Sequence, residues 1–159
     1  GEICIRATHV MAEYWKRPEQ TAETLKNGWL HTGDIAKADE RGYMYILDRK
    51  KDMIVSGGFN IFPREVEDVL STHADVAMVA VVGVPDDKWG EAVTAIVVAR
   101  AGTQPNEQTL IELVKQRKGS AHAPKHIKFV KELPMTGVGK VDKKALRATF
   151  WAGRERMVG

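Results

Sequence analysis

The sequence predicts an α+β fold in two unequal parts: a small domain with a mainly three-stranded sheet and flanking helices, preceded by a β-rich piece of a larger domain. Three observations carry that expectation. Val76–Val84 and Ala92–Ala99 are nearly unbroken apolar runs, as in strands covered on both faces. The segments after Pro63 and after Asn106 place apolar residues at helical spacing. Between Tyr43–Leu47 and Met53–Val55 lies a charged break, Asp48-Arg49-Lys50-Lys51-Asp52, where a chain can turn or pivot without losing core contacts.

Gly1–Thr8 alternates through Ile3, Ile5 and Ala7 and predicts a strand. Pro18–Lys26 predicts a short helix, with Glu19 and Glu23 near its positive end and Asn27-Gly28 closing it. Ile35–Ala38 and Tyr43–Leu47 flank Asp39-Glu40-Arg41-Gly42, turn residues that predict a hairpin. Past the charged break, Gly57-Gly58 permits φ > 0, or lets another group approach where a Cβ would clash. Pro63 suits the first turn of a helix through Ser71, with Val66, Val69 and Leu70 on one side. Pro85-Asp86-Asp87 is expected to turn the chain between the two buried strands. Asn106 is the expected N-cap of a helix through Arg117, with Leu110, Leu113 and Val114 inward. Ile127–Leu133 predicts a third strand, and Asp142 caps a last helix containing Ala145, Leu146 and Phe150. Residues 1–47 thus read as the end of a preceding domain, 48–52 as a hinge, 53–150 as the small domain and 151–159 as a flexible tail.

The 159 residues hold one cysteine, so no disulfide can form within the chain, and Cys4 is expected in a core. No apolar run is long enough to span a bilayer. The opening Gly-Glu-Ile has neither initiator Met nor signal-peptide character, which predicts a piece of a larger soluble protein in the cytoplasm. The net charge of +3 is uneven: residues 1–47 carry six Lys/Arg against seven Asp/Glu, the remainder eighteen against fourteen. Between Lys115 and Arg147, ten Lys/Arg face only Glu132 and Asp142. Such a stretch fits an anionic ligand such as a nucleotide or CoA, or nucleic acid, and equally a solvated face.

Several residues have the chemistry for a site. Asp34, after Thr32-Gly33, can accept hydrogen bonds from both hydroxyls of a ribose, and Arg49 can add donors to the same sugar or a phosphate. In ordinary terms they are a turn aspartate and a surface charge. Ser56-Gly57-Gly58-Phe59-Asn60-Ile61 and Gly137-Val138-Gly139-Lys140 invite a phosphate-loop reading, but neither has the spacing, and Lys140 is followed by Val141 instead of Ser or Thr. His9, His31, His73, His122 and His126 show no metal-ligand spacing, so no metal site is expected. Trp15, Trp29, Trp89 and Trp151 read as packing residues.

Three segments in order carry a family resemblance: Gly28-Trp29-Leu30-His31-Thr32-Gly33-Asp34, then Asp48–Glu67, then Pro134-Met135-Thr136-Gly137-Val138-Gly139-Lys140. The chain resembles, up to about Phe150, the C-terminal portion of acyl-CoA synthetases of the adenylate-forming superfamily. The resemblance implies a lid domain working with the N-terminal adenylating domain of the same polypeptide. It implies ATP, a carboxylic acid (a fatty acid in the first instance) and CoA as substrates, with Mg²⁺ held mainly by the other domain. It assigns Asp34 and Arg49 to the nucleotide ribose, Lys51 to the hinge and Gly57 and Gly58 to the pantetheine arm of CoA. Lys140 it assigns to the acyl carboxylate and the α-phosphate as they combine. The implied location is cytoplasmic, with or without peripheral attachment to a membrane, and the chain alone is expected to be inactive. Ala12-Glu13 and Ala121-His122-Ala123-Pro124-Lys125 depart from the family pattern outside the three segments. Rival readings are an adenylation domain that loads a carrier protein, a luciferase-like oxidative enzyme on the same scaffold, and a non-catalytic basic module. Nucleic acid is not an expected partner of the enzyme.

Overall fold

The structure, a computed structural model, describes residues 1–153. They form two compact units that divide between Lys51 and Asp52.

In the first unit, β1 (Glu2–Ile5), α1 (Pro18–Thr24), β2 (Leu25–Lys26), β3 (Trp29–Ala38) and β4 (Met44–Arg49) follow in order. Strand β3 is the spine of an antiparallel sheet. Leu30 pairs with both Ile5 and Leu25, and Ile35 with both Glu2 and Asp48. Strand β1 therefore lies on one side of β3, with β2 and β4 on the other. The predicted helix stops at Thr24, and Asn27-Gly28 is a two-residue hairpin turn between β2 and β3. Both residues have positive φ, 53° and 78°, the geometry an Asn-Gly pair favours in tight hairpins. The Gly28–Asp34 motif consequently lies mostly on a strand. Ala36 is the one buried apolar residue of this unit, and Tyr43 just before β4 and Met44, Tyr45 and Ile46 on it are exposed. Cys4, expected in a core, is exposed as well, because this sheet has almost no core of its own to receive it.

The second unit is α+β, as predicted. It contains β5 (Ile54–Ser56), β6 (Phe59–Ile61), α2 (Pro63–Leu70), β7 (Val76–Asp86), β8 (Gly90–Ala99), α3 (Glu107–Lys118), β9 (His126–Phe129) and α4 (Lys143–Ala148). The short hairpin β5–β6 adds two strands to the three expected, giving the order β6-β5-β8-β7 with β9 parallel to β8. Alternation along the strands supplies both faces. Val81, Val93, Ala95 and Val97 pack with Val66, Leu70, Leu110 and Val114 of the helices. Ala80, Val82 and Ile96 form a second cluster with Leu133, against which Leu146 and Phe150 pack. That two-sided burial is why β7 and β8 read as unbroken apolar runs.

Strand β7 runs through Pro85, and the turn falls at Asp87–Trp89 instead of Pro85–Asp87. Among the described strands β7 pairs with β8 alone, and an edge strand tolerates a residue without an N–H. The Asp86 carboxylate then closes the turn, its Oδ1 accepting from the N–H groups of Lys88 and Trp89, both at 2.9 Å. Strand β9 ends at Phe129 and not Leu133, since β8 has only Val98 and Ala99 left beyond the Val97–Phe129 pair. Asn106 and Asp142 cap α3 and α4, accepting from Thr109 N–H at 3.1 Å and Ala145 N–H at 2.9 Å. Trp151, assigned by sequence to the flexible tail, is half-buried and donates from Nε1 to Gly83 O at 2.8 Å. Residues 154–159 of that tail lie outside the described residues. No helix among the described residues is long and apolar enough to cross a membrane.

Candidate functional site

In the first unit Asp34 and Arg49 are brought together. They are direct cross-strand partners, and Arg49 Nε lies 3.0 Å from Asp34 Oδ1. A bulge decides this pairing. From Ala38↔Met44 to Ala36↔Ile46 the register is regular; between Ile35 and Ala36 it slips by one. Continued without the slip, the ladder would set Asp34 against Asp48, two like charges. Arg49 is also anchored from Nη1 to Thr32 O at 3.1 Å, and the Thr32 hydroxyl donates to Ile3 O at 2.8 Å. Gly33, at φ 73°, donates its N–H to Glu2 Oε1 at 3.1 Å. The result is a carboxylate and a guanidinium side by side and partly exposed, a pair able to meet two adjacent hydroxyls and a nearby phosphate.

Glu2 is the polar centre of this edge. Its carboxylate also meets His31 Nδ1 at 3.2 Å and Lys50 Nζ at 3.3 Å. The hydrogen bond with His31, then Lys50 and the Gly33 N–H, holds the Glu2 carboxyl below its usual value against the opposing effect of partial burial. Cys4 Sγ lies 3.5 Å from the same His31 nitrogen. Glu2, Cys4 and His31 thus bring together three groups of metal-ligand type, which sequence spacing did not reveal because Cys4 meets His31 only through the β1–β3 register. Both contacts fall on one ring nitrogen, so no thiol–imidazole–carboxylate relay exists here. The Lys50 ammonium already occupies the carboxylate oxygen nearest His31.

Lys50–Asp52 form a single 3-10 turn, with Lys51 exposed at the boundary between the units.

In the second unit Gly57-Gly58 form the two-residue turn between β5 and β6, with φ of 56° and 83°. Gly57 is needed on two grounds, its positive φ and the close approach of Trp89, whose ring a Cβ there would meet at 2.7 Å; its N–H donates to Trp89 O at 2.8 Å. Nothing approaches the Cβ position of Gly58. Trp89 is flanked by the Lys88 and Lys125 ammonium groups, each 4.9 Å from its ring centroid. Read from sequence as packing, Trp89 does pack over Gly57, and it also presents an aromatic face close to two cations beside the glycine turn. No sequence signal links positions 57 and 89; the β5–β8 contact Ser56↔Gly90 does.

Lys140 sits on another loop, and no hydrogen bond or ion pair joins that loop to Gly57-Gly58 among the described residues. Met135 and Val141 bridge its base. Inside it, Thr136 N–H donates to Lys140 O at 2.7 Å and Gly139 N–H to Thr136 O at 2.9 Å. The backbone is firm while the Lys140 side chain is exposed, its ammonium without a partner among the described residues. Other basic residues of the segment are engaged: Lys115 with Glu112, Lys118 with Glu65, Lys143 with Glu67 and Arg147 with Asp52.

Residues 65–140 match the family described as the AMP-binding enzyme C-terminal domain. The medium/long-chain-fatty-acid–CoA ligase FadD8 of Mycobacterium tuberculosis is 55% identical over 100% of this chain and 29% of its own length. The fatty acid–[acyl-carrier-protein] ligase ScoC of Streptomyces coeruleorubidus is 43% identical over 99% of this chain and 30% of its own. The crystal structure of ATP-bound MatB from Rhodopseudomonas palustris superposes with a TM-score of 0.87 at 38% identity, covering 94% of this chain and 30% of that one. The chain therefore spans about three-tenths of the length of the proteins it matches.

Proposed function

The chain belongs to the AMP-binding enzyme family, whose C-terminal domain it carries, and from that premise we propose that it is the C-terminal part of an ATP-dependent fatty acid–CoA ligase. The observation that carries this reading is the Lys140 side chain: an exposed ammonium without a partner among the described residues, on a hydrogen-bonded loop, while Lys115, Lys118, Lys143 and Arg147 of the same segment are ion-paired. A fixed cation of that kind suits delivery to charge that develops outside its own unit.

In the first half-reaction a carboxylate oxygen of the fatty acid attacks the α-phosphorus of ATP and pyrophosphate leaves. Two anions must meet, and Lys140 stabilises the oxygens that gain charge as they do. Asp34 accepts from the ribose hydroxyls while Arg49 orients that carboxylate and faces the phosphates. Asp34 is the sole carboxylate among the six site residues and is engaged by Arg49, so these residues form no cradle for Mg²⁺, which belongs with the rest of the polypeptide. In the second half-reaction the CoA thiol attacks the acyl carbonyl and AMP leaves. The Gly57-Gly58 turn offers backbone without Cβ atoms, and Trp89 with Lys88 and Lys125 offers an aromatic face and cations to an anionic, adenine-bearing thiol carrier. Lys51 is the hinge that exchanges the two arrangements.

The likeness to ScoC favours a second acceptor, a carrier protein. Free CoA and a phosphopantetheinylated carrier, offered separately to the acyl-adenylate, separate the two.

The test uses the full-length polypeptide with Lys140→Ala. Adenylate formation from dodecanoate and ATP should fall by about 10²-fold or more, while thioester formation from preformed dodecanoyl-adenylate and CoA is largely kept. Equal, small effects on both steps would refute the assignment. The isolated chain should turn over nothing.

A further inference from the structure

We propose that Arg147 is a positioning residue for Lys140, acting through its ion pair with Asp52 to make the start of the second unit and the Lys140 loop a single mechanical piece. The proposal rests on the reading above, in which Lys51 is the hinge and Lys140 serves adenylation.

Asp52 directly follows Lys51 in the chain. Its Oδ1 accepts from Arg147 Nη1 at 2.6 Å, and both side chains are only 14% exposed. Arg147 lies on α4, the helix that begins three residues after Lys140. The Lys140 loop runs into that helix without slack: Asp142 N–H donates to Pro134 O at 2.8 Å, and the Asp142 carboxylate caps α4. One helical turn before Arg147, Lys143 Nζ meets Glu67 Oε1 on α2 at 2.7 Å, with both side chains 18% exposed. Residues four apart share a helix face, so α4 presents two cations on one side and is tied at two points. The same Glu67 oxygen accepts from Val81 N–H at 2.7 Å, extending the tie to β7. On the other tether the anion belongs to the first residue past the hinge.

The two ties differ in what they can do. Glu67–Lys143 holds α4 against the body of the unit. Asp52–Arg147 holds it against the segment that must swing first when backbone angles at Lys51 change. With little water to screen it, the second pair transmits that swing to α4 and thence to Lys140. The Gly57-Gly58 turn has a separate anchorage, through Ser56↔Gly90 and through Val55 N–H donating to Glu91 Oε2 at 2.8 Å. Loss of Arg147 should therefore misplace Lys140 and leave the glycine turn in position.

The experiment compares full-length wild type with Arg147→Ala, Arg147→Lys, Asp52→Ala and the exchange Asp52→Arg/Arg147→Asp, with Lys140→Ala as reference. Adenylation of dodecanoate and thioester formation from dodecanoyl-adenylate are each followed, with thermal unfolding alongside. Arg147→Ala and Asp52→Ala should each lower adenylation about 10–100-fold and thioester formation less than about threefold. Their double variant should be no worse than either single one, and the charge exchange should recover most of the loss. Arg147→Lys keeps the charge, and should show a smaller loss confined to the same step. Equal loss in both steps by Arg147→Ala or Arg147→Lys, or adenylation within about twofold of wild type, overturns the proposal. A non-selective effect of Lys140→Ala would instead sink the site reading, whereas selective Lys140→Ala with non-selective Arg147→Ala sinks this inference alone.

Discussion

Asp34 and Arg49 face each other across the β3–β4 ladder with 3.0 Å between Nε and Oδ1, and they do so only because the ladder slips by one residue at Ile35/Ala36. A bulge that sets a guanidinium beside a carboxylate, where a second carboxylate would otherwise stand, aims a side chain as well as bending a strand. Asp34→Ala and Arg49→Ala should each raise the KM for ATP by about tenfold or more, given roughly 1.5–3 kcal/mol for a hydrogen bond to a charged group. Arg49→Lys retains the charge without the planar fork and should fall between. The exposed Arg41–Asp39 pair, 3.6 Å apart on the hairpin loop, is the control: Arg41→Ala should leave the KM for ATP unchanged. Initial-rate adenylation at varied ATP, with melting temperatures measured in parallel, decides between loss of binding and loss of fold.

Gly57 and Gly58 should respond differently to alanine although both lie at positive φ. The left-handed backbone costs a residue with a Cβ about 1–2 kcal/mol at either position. Only at Gly57 does the new methyl also meet the Trp89 ring, at 2.7 Å, adding about 1–3 kcal/mol of overpacking. Gly57→Ala should therefore destabilise the protein more in denaturant unfolding and slow thioester formation by displacing Trp89. In the Gly57→Ala/Trp89→Ala pair the two penalties should be strongly non-additive, since the ring is what the methyl strikes. Additive effects would mean that the Gly57–Trp89 approach carries no energy.

What the sequence could reveal followed from how local each signal is. Strands β7 and β8 were readable because every residue facing either cluster is apolar, and α3 because Asn106 caps a helix with Leu110 and Val114 inside. The Asn27-Gly28 pair reads as a helix end, but a helix end and a hairpin use the same residues, and only the Leu30 partners on both sides of β3 distinguish them. At the candidate site Asp34, Arg49 and Lys140 stood out through the family resemblance of three short segments, each local in the chain. Their surroundings did not. A bulge sets the Asp34–Arg49 pairing, a tryptophan far along the chain fills the space over Gly57, and Arg147 finds Asp52 across 95 positions. Cys4 shows the opposite failure. Its alternating strand implied a core, but the sheet's buried side in this unit amounts to Ala36.

Acid should act on the first unit through Glu2. Its carboxyl titrates below its usual value because the hydrogen bond with His31 favours the charged form, with Lys50 and Gly33 N–H adding to it. A lowered folded-state value means that the folded protein holds the proton less tightly than the unfolded chain. The stabilisation is therefore fully present above the ordinary glutamate value near 4.5, and is lost as pH falls through the lowered one. Glu2→Gln keeps an oxygen for Gly33 N–H but removes the charge that His31 and Lys50 address. Wild type should accordingly be the more stable protein at neutral pH, and the gap in unfolding free energy to Glu2→Gln should close as pH falls from the ordinary glutamate value through the lowered one. Because Lys50, which loses its anionic partner, adjoins Arg49, the same variant should weaken ATP binding at neutral pH, read as a rise in the KM for ATP during adenylation. A stability gap that stays constant from neutral to acid pH would show that the Glu2 charge is not what holds this edge together.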